Sequence, residues 1–325
     1  MAQEIVTQLK HDDGLGAIAS SQPKRKTPFA KMWKNHKALY FMLIPAALLL
    51  LFLRIYPLWG IGIAFVDFKV VGGLAVSKWV GLKHFVELFN RPDTFQIIRN
   101  TVVISSGKII LGETAGLLFA LLINEVKFGP YKKFSQVVTT IPNFLSWVVV
   151  GALMLNILGT TGIVNDVLKS MGLARVKFLT SSVIFPYTMI LSDTFKSMGW
   201  SALIYLAAMT QINPELIEAA AVDGAGRLQR IWHVVVPILL PTYIFMIALA
   251  FGYILDAGMD QILVLYNPAV YSTGDVLDTY VYRVGLVNFK YEIATVVGLV
   301  KAVVGFAMVL LANWVSGKLA KISMF

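Results

Sequence analysis

A chain of 325 residues, 57% of them hydrophobic and only 14% charged, is too apolar for a soluble domain, where about a quarter of residues carry charge, and reads as a membrane protein. Its net charge of +10 does not indicate a nucleic-acid partner, because the basic residues flank apolar segments instead of clustering on a polar fold. Cysteine is absent, which excludes disulfide frameworks, thiolate metal sites and cysteine nucleophiles; the four histidines, His11, His36, His84 and His233, show no metal-binding spacing.

Residues 1–28 are polar and lack apolar periodicity, as a cytoplasmic tail would. Over residues 29–37, "FAKMWKNHK", Phe29, Met32, Trp33 and His36 form one helical stripe with Lys31, Lys34 and Lys37 off it. That pattern predicts a helix lying at the membrane interface, in contact with lipid. A cleaved leader is not expected, since the polar region and the first apolar run are both too long.

From residue 38 to 325 the sequence predicts a transmembrane domain. Six apolar segments, near 38–66, 98–123, 134–158, 183–209, 238–261 and 292–316, each match the roughly 20 residues that cross a bilayer core. Backbone in lipid must satisfy its own hydrogen bonds, so six transmembrane helices and an all-α fold are expected. The basic residues set the orientation. Lys24, Arg25, Lys26, Lys31, Lys34 and Lys37 precede the first span; Lys127, Lys132, Lys133, Arg227, Arg230, Lys318 and Lys321 fall on the same side. That side is cytoplasmic by the positive-inside rule, and both termini lie there. The outward loops, roughly 67–97, 159–182 and 262–291, also carry basic residues, among them Lys69, Lys78, Lys83, Arg91, Lys169, Arg175 and Lys177. They are long enough for small helices and too short for a separate domain.

Charges within or near the spans are Arg54, Lys108, Glu113, Asp193, Lys196, Asp256 and Lys301. Each costs about 2.5–3.5 kcal/mol at the bilayer centre on insertion scales, so each should face protein or a polar cavity. Asp193 and Lys196 are three apart on one helix face and are expected to pair; Lys108 and Glu113, five apart, are expected to face different directions. Asp193 and Lys196, with the aromatic residues Phe144, Trp147, Tyr187, Tyr243 and Tyr253, are candidates to line a pathway for a hydrophilic solute. The same aromatics also suit packing or an interfacial belt.

The stretch 213–237 interrupts this apolar pattern. Asn213-Pro214-Glu215 is a helix start: Asn caps, Pro suits the first helical position, and Glu favours the positive end of the dipole. "PELIEAAA" continues with helix formers, and Gly224 permits backbone angles other residues resist. A second helix should follow, with Leu228, Ile231, Trp232 and Val235 as an apolar stripe and Arg227, Gln229, Arg230 and His233 off it. Pro237 and Pro241 mark the approach to the fifth span. Asp223 suits either a local cap of that second helix or contact with a partner. By itself, the element is either a solvated connection or a docking surface.

The residues "EAAAVDGAGRLQRIWHVVVP" closely resemble the EAA loop of permease subunits in binding-protein-dependent ABC importers. The likeness rests on Glu218, Ala219, Ala220, Asp223, Gly224, Ala225 and Pro237 at the family's spacing. Gln229, Trp232, His233 and Pro241 match the carbohydrate branch, while Ile231 departs from it where an aromatic residue is common. "WVGLKHFVELF" and the later Arg99-Asn100-Thr101 resemble the outward loop and second-span start of sugar permeases. The resemblance covers the chain from about residue 39 onward. It implies a type I ABC importer permease fold in a prokaryotic inner membrane, with residues 213–237 as a coupling loop between spans four and five that docks on a separate ATPase. It also implies a second homologous permease, two ATPase subunits that bind ATP and Mg, and a periplasmic or surface-tethered solute-binding protein.

No GxxxxGK[ST] occurs in this chain, so ATP hydrolysis is expected in a partner and no cofactor or enzyme activity here. The branch implies a carbohydrate, in particular an oligosaccharide; basic outward loops would suit an acidic, alginate-like one, and would suit an acidic binding protein equally. A secondary transporter for a polar solute would need ion-coupling carboxylates and usually repeated halves. A membrane enzyme would need a nucleophile–base or metal motif that the sequence lacks.

Overall fold

The computed structural model describes residues 37–319. The polar tail expected over 1–28 and the interfacial helix expected over 29–37, apart from Lys37, lie outside these residues. The chain falls into two units, residues 1–59 and 60–325. In the first, α1 (Lys37–Leu50) contains Pro45 and passes through a π turn at Leu51–Ile55 into a 3-10 run, Tyr56–Phe65, whose residues from Gly60 onward belong to the second. Pro57 has no N–H to donate to the preceding turn, and this favours the change of helix type there.

A two-stranded hairpin follows in the second unit, pairing β1 (Val66–Asp67) with β2 (Lys78–Trp79) in the register Val66 to Trp79 and Asp67 to Lys78. The amphipathic α2 (Lys83–Asn90) follows, and then the long α3 (Asp93–Asn124). Three buried clusters succeed one another along α3. Ile97 packs with Leu277, Val284 and Ile293; Ile104 with Phe185, Met189 and Ile262; Ala120 and Leu121 with Tyr205, Met209, Val235 and Leu239. The α3 helix is thus the post against which the unit assembles.

The chief contact of α3 is α7 (Phe185–Met209). Gly112 and Gly116 on α3 oppose Ser197 and Ser201 on α7, and a Cβ at Gly116 would lie 2.6 Å from Ser201 Cβ. Small residues four apart let two helices approach closely, which is the main source of adhesion where lipid and side chain are equally apolar. On its other side, α7 meets α4 (Gly129–Phe144) at Gly199, where a Cβ would lie 2.1 Å from the Thr139 carbonyl oxygen.

Among the described residues, five helical runs are long and apolar enough to cross a membrane: Lys37–Phe65, Asp93–Asn124, Trp147–Ser170, Arg227–Phe251 and Tyr291–Lys318. The expected fourth span forms α7, whose 25 residues reach about 38 Å. Its Ser192, Asp193, Thr194, Lys196 and Ser197 keep it outside the apolar set. The expected third span, 134–158, is two helices instead of one. The α4 helix ends at Phe144, Leu145 and Ser146 are extended, and the Ser146 hydroxyl accepts from Val149 N–H at 3.4 Å to start α5 (Trp147–Leu158). Pro142 and a capping serine outweigh the unbroken apolar run there. Short α6 (Ile163–Ser170) completes that crossing after Gly159–Gly162.

Two further differences shape the functional regions. The second helix of the charged loop, α9 (Arg227–Arg230), is not separate from the fifth span. It runs through a π turn, Ile231–Val235, directly into α10 (Val236–Phe251). Pro237 thus lies inside a continuous helical run, where its missing N–H favours the π turn just before it. That helix then stops at Phe251, ten residues before the expected end, and Gly252–Gly258 is not helical. Short helices α11 (Met259–Leu265), α12 (Tyr271–Gly274) and α13 (Leu277–Val281) lead into the last span, α14 (Tyr291–Leu319).

Candidate functional site

The broken stretch after α10, together with α3 and α7, encloses a cavity of about 340 Å³. Irregular backbone at membrane depth is tolerated only where it lines a polar cavity or is satisfied by protein, and here both hold. Gly258 adopts φ +81, a left-handed value at which a Cβ would also lie 3.1 Å from Lys108 Nζ. The Lys108 ammonium donates to the freed Ala257 carbonyl at 2.6 Å and to Gln261 Oε1, and lies 3.8 Å from Asp193 Oδ1. Gln261, fully buried, donates from Nε2 to Met189 O and Ser192 Oγ, both at 2.8 Å. Ser105 Oγ donates to Asp256 O at 3.3 Å, and Ala257 N–H to Asp278 Oδ2 at 3.2 Å; Asp278 is itself bonded by Lys301. One buried lysine and one buried glutamine therefore tie α3, α7 and the break together.

The remaining wall is polar. Glu113 accepts the Tyr205 hydroxyl at 2.8 Å, and Ser197, Ser201, Asp256 and Tyr253 complete the lining. The expected Asp193–Lys196 pair does not form. The Lys196 ammonium instead donates to Asn143 O at 2.8 Å and sits 5.4 Å from the Trp147 ring centre. Asn143 lies in the last turn of α4, whose carbonyls lack helical partners, and an unsatisfied carbonyl competes well for an ammonium. Lys108 and Glu113 also depart from expectation. They lie about 140° apart on the helix, yet both reach the same cavity, on either flank of Ile109 and Gly112.

Of the seven residues expected along a solute pathway, the cavity brings together Asp193 and Tyr253. Tyr243 points elsewhere, its hydroxyl 2.8 Å from Thr114 Oγ1 and its ring against Tyr205, beside an apolar groove between α10 and α14. Phe144 packs edge-on to Trp200 at 6.0 Å. Trp147 and Lys196 form the cation–π contact above, and Tyr187 borders a separate cleft between α3 and α7. Among the lining residues, Lys108, Glu113 and Asp256 are legible only as charges, and Ser105, Ser197 and Ser201 not at all. The usable signal is small residues at four-residue spacing on two adjacent helices.

Near the N-terminal end of α3, Arg99-Asn100-Thr101 clamps the last loop. Asn100 Nδ2 donates to Ser272 O and Asp275 O, each at 3.1 Å, and Thr101 Oγ1 accepts from Leu277 N–H at 2.9 Å. Asp275 in turn accepts two bonds from Arg283, at 3.1 and 2.5 Å. Around α2, Arg91 pairs with Glu87 at 2.6 Å and holds its carboxyl below the ordinary value. Lys83 does the same for Asp67 at 2.8 Å.

On the opposite side, α8 (Pro214–Val222) begins as its sequence dictates, with Asn213 Oδ1 accepting from Glu215 N–H at 3.1 Å. It ends in a Schellman turn. Ala225 N–H bonds Ala220 O at 2.9 Å, Gly224 N–H bonds Ala221 O at 3.2 Å, and Gly224 takes φ +83. Glycine is favoured at that position because it has no Cβ to crowd the left-handed conformation. Glu218, Ala219, Asp223, Gly224 and Pro237 are exposed, while Ala220 and Ala225 are half-buried. Asp223 does not cap the next helix; Gln229 does, its Oε1 accepting Gly226 N–H at 2.8 Å. Ala220, Asp223, Gly224, Ala225, Gln229, Arg230 and His233 border a concave surface of about 390 Å³. The expected apolar stripe is only partly covered: Val235 is buried and Ile231 half-buried, but Leu228 and Trp232 are 71% and 57% exposed.

Residues 114–321 match the family described as "Binding-protein-dependent transport system inner membrane component". The chain is 37% identical over 303 residues to "Polygalacturonan/rhamnogalacturonan transport system permease protein YteP" of Bacillus subtilis (strain 168), covering 93% of this chain and 94% of that one. It is 35% identical over 293 residues to "Protein LplB" of the same organism, covering 90% and 92%. Its fold superposes with a TM-score of 0.82 and 37% identity on a chain from "Crystal structure of bacterial alginate ABC transporter in complex with alginate pentasaccharide-bound periplasmic protein", covering 92% of this chain and all of that one.

Proposed function

Since this chain belongs to the family of binding-protein-dependent transport system inner membrane components, and is a multi-pass ABC importer permease and not an enzyme, we propose that it carries an acidic oligosaccharide of the uronate class into the cytoplasm. The relatives support this substrate class, one being named for polygalacturonan and rhamnogalacturonan and the solved neighbour for alginate. The sugar is delivered by a solute-binding protein. A second homologous permease supplies the other half of the pathway. Two ATPase subunits bind ATP and Mg, and both termini of this chain lie on their side of the membrane. Residues 38–325 form the permease domain and 213–237 its coupling loop, with Glu218, Ala219, Ala220, Asp223, Gly224, Ala225 and Pro237 as its functional residues.

One observation carries the coupling role. The α8 helix is joined by the Schellman turn to a helix that runs unbroken from Arg227 to Phe251 and ends at the polar cavity. Displacement of α8 by a partner is thereby delivered to the cavity wall. Glu218→Lys in the assembled complex tests it. Membrane abundance should stay normal, because Glu218 is exposed and outside every span, while co-purification with the ATPase and substrate-stimulated hydrolysis should fall. Normal assembly with normal stimulation would reduce the loop to a solvated connection.

A further inference from the structure

Four arginines stand on or near the outward face. Arg91 pairs with Glu87 at 2.6 Å, Arg175 with Asp166 at 3.4 Å and Arg283 with Asp275 at 2.5 Å. Arg99 alone of the four has no carboxylate within ion-pair distance among the described residues. Its Nη2 donates to Asn100 Oδ1 at 3.0 Å and, at the limit of bonding, to Ser272 O at 3.5 Å. Its Nε and Nη1 have no acceptor among those residues. Asn100 is itself immobile: it is buried, and its amide nitrogen is spent on Ser272 O and Asp275 O. The Arg99 Nη2 is thus held, while Nε and Nη1 remain free to donate.

Arg99 lines a cleft of about 240 Å³ between α3 and α7, shared with Asn100, Ser182, Tyr187 and Thr273. Tyr187 is 64% exposed and has no aromatic partner among the described residues. A guanidinium with free N–H groups donates charge-assisted hydrogen bonds to a carboxylate, and an exposed aromatic face suits the apolar face of a sugar ring. The mid-membrane cavity has the opposite character. It holds Glu113, Asp193 and Asp256 against Lys108, whose ammonium is already committed to Ala257 and Gln261. With that ammonium also 3.8 Å from Asp193, the cavity offers no unpaired cation to a carboxylate, whereas the outward cleft offers Arg99.

We propose that Arg99 and Tyr187 form a subsite at the outward mouth that reads the carboxylate of an acidic sugar. This rests on the uronate reading above. A lipid phosphate offers similar oxyanion chemistry to Arg99, and the test separates the two sources. The importer, complete with its second permease, ATPases and binding protein, is reconstituted in liposomes. Uptake of trigalacturonate and of its fully methyl-esterified, uncharged form is measured for wild type, Arg99→Gln, Arg99→Lys and Tyr187→Ala. The ratio of variant to wild type for each sugar cancels the binding protein's own preference.

Arg99→Gln should lower uptake efficiency for trigalacturonate on the order of tenfold while leaving the ester within about twofold. Arg99→Lys, which keeps the charge and loses the fork, should fall between. Tyr187→Ala should lower uptake of both sugars. Equal loss of both sugars in Arg99→Gln would assign Arg99 to the lipid or the fold and overturn the subsite; no loss of either would overturn it equally. A wild-type complex that carries only the ester, or neither sugar, would instead defeat the uronate reading from which the subsite follows.

Discussion

Replacing Gly224 by valine isolates the turn between α8 and the helix that follows. At φ +83 a residue with a Cβ is strained by about 1–2 kcal/mol, and a β-branched residue stands at the upper end of that range. A Cβ built at Gly224 meets nothing within 4 Å, so steric clash adds nothing and the backbone carries the whole cost. The chain can escape the strain only by unwinding the turn, which gives up the bonds at 2.9 and 3.2 Å, worth about 0.5–1.5 kcal/mol each. The two costs are similar, so valine should leave the turn partly formed. A loss of 1–2 kcal/mol lowers the ratio of formed to unformed turn by a factor of about 5–30.

Binding-protein-stimulated ATP hydrolysis by the reconstituted complex should fall about twofold, in proportion to the fraction of formed turn, with membrane abundance unchanged. Asparagine enters the left-handed region far more readily, so Gly224→Asn should retain most of the stimulation. Wild-type stimulation in the valine variant, or asparagine as damaging as valine, would refute the claim that backbone handedness at this turn matters.

Lys108→Met leaves Ala257 O and Gln261 Oε1 without their donor, a cost of about 1–3 kcal/mol per stranded group; the thermal unfolding midpoint of the detergent-solubilised complex should drop, and an unchanged midpoint would show the network to be idle. Gly199→Ala places a Cβ 2.1 Å from Thr139 O, which backbone cannot yield without separating α4 from α7, so membrane abundance should fall sharply, whereas Gly298→Ala, with nothing within 4 Å, should be tolerated. Glu87 is held by Arg91 below its ordinary value of 4.5. The pair therefore contributes its full stability above that value and loses it as pH falls through the depressed one. Hydrogen exchange over residues 83–90 should accelerate in that acid window, and Glu87→Gln should remove the step. The chain has no cysteine, so Val71→Cys and Val222→Cys, at positions 90% and 87% exposed, report orientation directly: a membrane-impermeant maleimide should label the first in spheroplasts and the second only after lysis.

What the sequence discloses follows from how local each cause is. Asn213, Pro214 and Gly224 act within a turn of their own position, and the start and end of α8 are where those residues place them. Spans are legible because hydropathy sums along the chain, but their limits move where distant contacts decide. The α3 helix begins five residues before the apolar run because Thr94 and Asn100, polar and buried, bond to Leu88 O and to the loop near Ser272 and Asp275. Spacing alone pairs Asp193 with Lys196; the Asn143 carbonyl and Lys108, remote in sequence, separate them. The cavity is hidden for the same reason. Hydropathy cannot say which helix faces meet, and only Gly112 and Gly116 opposite Ser197 and Ser201 hint at it.

The unbroken helix from Arg227 to Phe251 has a geometric consequence. Its 25 residues make a rod about 38 Å long, gripped at one end by the turn at Gly224 and released at the other where Gly252 begins the break. A tilt of about 5° about the Arg227 end would carry Phe251 through roughly 3 Å, given that length, which is close to the diameter of a water molecule. Because the backbone is not helical from Gly252 to Gly258, such a swing need not drag α11 with it. Ile262 and Leu265 of α11 stay packed with Ile104, Phe185 and Met189. Small angular work at the α8 end would thus be converted into linear displacement at a single depth, with the half around α11 serving as the fixed frame.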